Sequence, residues 1–183
     1  MPARAALRSV AAAALLAAGC SSPPYASDLP LSPGDYPASS GAFRYRVPRG
    51  WVDASAESSA SRRVVMLLRA DRRASIVAEQ LVIDGRAMRT VDREGTCAVA
   101  AVLRDAAQGV EATGEMREFE ASGRSWCAWE GRQRSDGRAV RSAVAAAGGG
   151  AVEVRAVGPP GGARRDAEEV FQAQQAFLEN LRW

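Results

Sequence analysis

The alternation of apolar and charged residues in Phe43-Arg-Tyr-Arg-Val47 predicts a half-buried strand, ended by the turn formers Pro48-Arg49-Gly50 ahead of Trp51. Two runs rich in Val, Ile and Leu, 63–69 and 75–83, flank the polar turn 70–73 and predict a hairpin. Between Thr90 and Gln108 the period changes. Val91, Ala98, Val99, Val102, Leu103 and Ala106 follow helical spacing, with Gly109 placed as a C-cap. Four more strands are predicted at 112–121, 124–133, 138–146 and 151–157, separated by Ser122-Gly123, Ser135-Asp136-Gly137 and Gly148-Gly149-Gly150, where glycine supplies positive φ. After a Gly/Pro loop at 158–162, Val170, Phe171, Gln174, Phe177, Leu178 and Leu181 mark an amphipathic helix over 164–182, with Gln174 the one polar residue on its apolar face. The order is strands, helix, strands, helix. Short links among the last four strands predict an antiparallel meander, hence an α+β domain with a sheet of six to seven strands and both helices packed on it.

The N-terminus follows a different pattern. Arg4 and Arg8 precede an apolar run from Val10 to Ala18, too short to be a permanent membrane span, which needs about 20 residues. The run ends in Leu16-Ala17-Ala18-Gly19-Cys20, which resembles the lipobox of bacterial lipoproteins. That resemblance implies that residues 1–19 are a signal peptide, that Cys20 becomes the lipid-modified first residue, and that the chain is held to a cell-envelope membrane, facing the periplasm or the cell exterior. Two or three acyl chains, at about 0.8 kcal/mol per buried CH2, make such an anchor stable. Residues 20–41 hold five of the nine prolines and few large apolar groups, and are expected to be a disordered tether with a reach of roughly 25 to 60 Å. The folded domain is then 42–183.

Processing changes the charge. Loss of Arg4 and Arg8 leaves 22 arginines against 21 acidic residues, so the formal +3 falls to +1 and no nucleic-acid partner is implied. Lysine and histidine are absent, which removes a His general base, a Ser-His-Asp triad and His metal ligation. No cofactor fingerprint, nucleophile-elbow or calcium-loop string occurs.

Phe43-Arg-Tyr-Arg-Val-Pro-Arg-Gly-Trp51, followed by a hairpin and closed by the cluster from Phe171 to Trp183, resembles the PsbP-like group, which includes envelope lipoproteins of the DcrB and LpqN type. The resemblance implies an α/β/α sandwich and a non-catalytic accessory or binding role, with no catalytic residues.

Cys97 and Cys127 are the thiols left once Cys20 is acylated, and an oxidising compartment favours a disulfide between them. The phase of Cys97, about 100° from the face of Ala98, Val102 and Ala106, argues for two separate buried thiols instead. Two cysteines without histidine do not complete a metal shell. Trp126 and Trp129 fall on opposite faces of one strand, Trp129 as core and Trp126 as cover for the other face, with ligand stacking as the functional alternative. Glu118 and Glu120, and Glu130 with Arg132, share strand faces that read as wet surface rather than a glycosidase pair. Three functions follow in descending order. They are a lipid-anchored accessory or binding module with an unknown envelope partner, a carrier of a small apolar ligand between sheet and helix, and a carboxylate hydrolase.

Overall fold

The computed structural model describes residues 23–26, 28–57, 62–83, 95–147 and 150–183. Seven of its strands form one antiparallel sheet. They are β3 (Trp51–Asp53), β4 (Arg63–Arg69), β5 (Ser75–Leu81), β6 (Val110–Ala121), β7 (Arg124–Gln133), β8 (Ala139–Ala147) and β9 (Gly150–Val157). Their order in space is β3-β4-β5-β9-β8-β7-β6. The meander β6 to β9 is as predicted, and the hairpin β4–β5 joins it through β9, with Glu79 opposite Glu153. Helix α1 (Thr96–Ala106) crosses β6 to β8 on one face, and α2 (Arg164–Glu179) lies over β8 and β9 on the other. Among the described residues no helix is long and apolar enough to cross a membrane.

The larger core lies under α2. Val170, Phe171, Phe177 and Leu178 bury one stripe of the helix against Leu67, Ile76, Trp126 and Val154, as the 3.6-residue period requires. Trp126 is therefore a core residue rather than a cover, and its indole N–H donates to the Ala121 carbonyl at 3.1 Å. The second core, under α1, holds Ala100, Cys127, Trp129, Val144 and Ala151. The two tryptophans thus face opposite layers, as strand alternation demands.

Several elements depart from expectation. The predicted helix Thr90–Gln108 is described only as Thr96–Ala106, and residues 90–94 lie outside the described residues. Its inner face is also different. Ala100 is buried, Val99 and Leu103 pack partly, and Val102 is 67% exposed. Cys97, three residues before Ala100, belongs to that inner face, so the phase conflict came from assigning the wrong side of an Ala/Val-rich helix. Cys97 and Cys127 are joined in a disulfide with Cα atoms 5.1 Å apart.

The strand predicted at Phe43–Val47 is reduced to β2 (Arg44–Tyr45), which pairs outside the main sheet with β1 (Tyr36–Pro37). The sheet takes Trp51–Asp53 as its edge instead. Residues 20–41, expected to be a disordered tether, lie against the domain over their described part. Ser32 N–H donates to the Val47 carbonyl and Arg49 N–H to the Pro30 carbonyl, both at 2.8 Å, and Tyr25 and Leu29 pack on the larger core. Composition alone underrates this segment, because two of its few large apolar side chains, Tyr25 and Leu29, find seats on the core. Residues 1–22, with the signal and Cys20, and Gly148-Gly149 lie outside the described residues.

Candidate functional site

The charged face of β7 and β8 meets the first turns of α2 in a cleft of about 430 Å³. On β8, positions 139, 141, 143 and 145 point toward α2, and Arg141 is the one that is not alanine. Arg141 is completely buried. Its guanidinium donates at 2.9 Å to Gln174 Oε1 and at 2.9 Å to Gln175 Oε1, and it stands over the rings of Tyr25 (5.0 Å) and Phe119 (5.3 Å). Gln174 in turn donates to the Val154 carbonyl at 2.7 Å, so the polar exception on the apolar face of α2 is the receptor for this cation. Burial lowers the Arg141 pKa to about 10, which leaves it charged at neutral pH, and its Nε–H has no acceptor among the described residues. A buried cation met by amide oxygens and aromatic faces recovers less of its desolvation cost than a carboxylate-paired one.

Glu130 stands opposite Arg141 in the β7–β8 register, but its partner is the Tyr25 hydroxyl, which donates to Oε1 at 2.7 Å. The Tyr25 ring meets Phe171 edge-on at 5.6 Å. One side of the cleft is thus closed by a side chain from the segment just after Cys20. The opposite wall is the irregular stretch of β6 between Thr113 and Arg117, where Gly114 takes φ 80°. The mouth carries Glu115 and Arg117 from that wall, and Glu168 is paired with Arg164 at 2.8 Å.

Burial first, and then the bond beside a carboxylate, hold the Tyr25 pKa far above its ordinary value; Tyr45, next to Asp53, is raised for the same reasons. A folded pKa above the unfolded one means that the stability these phenols contribute is complete below about pH 10 and is lost as pH rises toward the folded values. Arg141, lowered chiefly by burial, acts in the opposite sense over that range. Thermal midpoints recorded from about pH 8 to pH 12 should fall above pH 10 in the native chain, and Tyr25→Phe should flatten part of the fall. Parallel curves for the two would count against the seat.

The other predicted residues are not brought to this cleft. Glu118 and Glu120 are exposed on the opposite face of the sheet from Glu130, so the carboxylates do not converge. On that opposite face Glu153, 3% exposed, accepts from Ser142 Oγ and Arg155 Nη2, each at 2.7 Å, in a hollow of about 190 Å³. Among the described residues no group of three or more His, Cys, Asp and Glu side chains is placed to hold a metal ion. Arg141, Tyr25 and Glu153 were not singled out from sequence. The signal for Arg141 was available as one arginine in phase with Ala139, Ala143 and Ala145, matched by one glutamine on the apolar face of α2.

No family model matches this sequence, and no curated protein matches it. Solved structures do. The solution structure of cyanobacterial PsbP from Synechocystis is similar at 16% identity and TM-score 0.54, over 78% of this chain and 88% of that one. LpqN of Mycobacterium tuberculosis, involved in cell envelope biogenesis, is similar at 15% identity and TM-score 0.54, over 76% and 82%. The Saccharomyces cerevisiae Ran-binding protein Mog1p is similar at 13% identity and TM-score 0.55, over 84% and 95%. The domain therefore has the PsbP-like fold, an antiparallel sheet with a helix on each face.

Proposed function

We propose that the protein is a lipid-anchored, non-catalytic binding or accessory protein of the bacterial cell envelope. The observation that carries this reading is the continuity of Leu16-Ala17-Ala18-Gly19-Cys20 with a segment seated on a PsbP-like domain, the fold that LpqN also has. The state of the cleft acids supports a non-catalytic role. Glu130 is engaged by Tyr25 and Glu168 by Arg164, so neither stands ready beside the other as acid and base. The cleft between sheet and α2 is lined by charges, and the apolar stripe of α2 is packed shut, which disfavours a carrier of apolar ligands.

The anchor is tested with Cys20→Ala. The native protein should carry acyl mass on its N-terminal peptide and partition into the detergent phase, and the variant should be released from membranes, since the described residues hold no membrane-spanning helix. Equal partitioning of variant and native protein would sink the reading.

A further inference from the structure

We infer that the Tyr25 seat is a mooring that keeps the cleft end of the domain against the lipid surface. This rests on the lipid-anchor reading above. Tyr25 is fixed from three elements at once, by Glu130 on β7 (2.7 Å to the hydroxyl), Arg141 on β8 (5.0 Å above the ring) and Phe171 on α2 (5.6 Å, edge-on). From Cys20 to Tyr25 the chain has five residues to span, at most about 17 Å fully extended, little more than one helix diameter of about 10 to 12 Å. A free 22-residue tether would let the domain tumble far from the bilayer; a seated Tyr25 does not. The β6–β7 turn at Ser122-Gly123 lies roughly 24 Å further along β7 from Glu130 and is carried away from the membrane. Charge is not what holds the mouth down. Arg117 and Arg164 are offset there by Glu115 and Glu168, so the orientation is insensitive to salt. The partner of this face is the layer of lipid headgroups, and an envelope protein must approach from the far end or from the α1 face.

The test uses the full mature chain, acylated in the cell and reconstituted into phosphatidylcholine vesicles that carry a rhodamine-headgroup lipid. A donor dye is attached at Arg164→Cys, on the cleft mouth, or at Glu120→Cys, near the far turn, the native thiols being occupied by the disulfide. Energy transfer should be at least about twofold greater from position 164 than from 120, as a separation of about 17 Å along β7 implies. Tyr25→Ala should erase that difference without altering flotation. A long Gly-Ser insert between Ser22 and Pro23, which leaves the seat intact, should lower transfer from both positions. Vesicle-bound native protein with equal transfer from the two positions, or an insert without effect, overturns the mooring and leaves the anchor standing. Protein that neither floats nor carries acyl mass removes the anchor and the mooring together.

Discussion

Phe177→Ala should cost about 3 to 5 kcal/mol, among the largest losses available to a single substitution in this domain. Phe177 is completely buried on the inner face of α2, and its ring lies 5.7 Å from that of Tyr45, which is itself 2% exposed. The cavity left by the ring would be bounded by α2, by β2 and by sheet side chains such as Trp126, none of which can slide in without breaking a bond of its own. Tyr45 is held by its hydroxyl to Asp53, and Trp126 by its indole to Ala121. That is the situation in which cavity relaxation is small and the cost is high. Urea unfolding monitored by tryptophan fluorescence should show a lower midpoint at unchanged slope. A loss below about 1.5 kcal/mol would mean that the α2 core repacks freely.

Removal of the Cys97–Cys127 disulfide is the second large effect. The bond closes a 30-residue separation and ties the first turn of α1 to the middle of β7, next to Trp129. In the chain-entropy account that loop is worth about 3 to 4 kcal/mol. For a domain of this size the Cys97→Ser/Cys127→Ser protein should melt roughly 10 °C lower. The α1 face is the more vulnerable one, because apart from the bond the helix contributes only Ala100 as a fully buried apolar side chain, with Val99 and Leu103 partly packed. Native protein isolated without reductant should show no maleimide-reactive thiol after denaturation. Two reactive thiols, or an unchanged melting point in the double variant, would contradict this account.

What was legible in the sequence follows the strength of each local signal. Helix α2 was readable because large side chains at Val170, Phe171, Phe177 and Leu178 leave one possible inner face. Helix α1 was readable as a helix but not in phase, because alanine and valine surround it on all sides and burial was decided by the sheet and by Cys127. The strands of the meander were delimited by glycine turns. The strand predicted at 43–47 stays out of the main sheet, whose edge is 51–53, because Arg44 and Tyr45 find their partners in Tyr36-Pro37 and, through a bridge, in Arg182. The N-terminal segment misled for a related reason. Part of its order comes from contacts more than 100 residues distant, such as Tyr25 with Glu130, which no window of composition contains. The cleft shares that origin, since Arg141 is intelligible only beside Gln174 and Gln175.

The seat of Tyr25 also bears on the order in which the chain folds. Its hydroxyl acceptor lies 105 residues downstream and its ring partner Phe171 lies on the last helix, while β5 pairs with β9 across 70 to 82 residues of sequence. Contacts of such separation form late, after the loops between them have closed. The first described residues of the chain are therefore the last to settle, and a nascent chain emerges with its leading segment still extended until β9 and α2 have followed it. In pulsed hydrogen exchange during refolding, amides of the β7–β8 ladder should gain protection before those of Arg44 and Arg182, which bond each other across 138 residues of sequence. Protection of both sets in one phase would show the domain to be a single cooperative unit from its first ordered residue to its last.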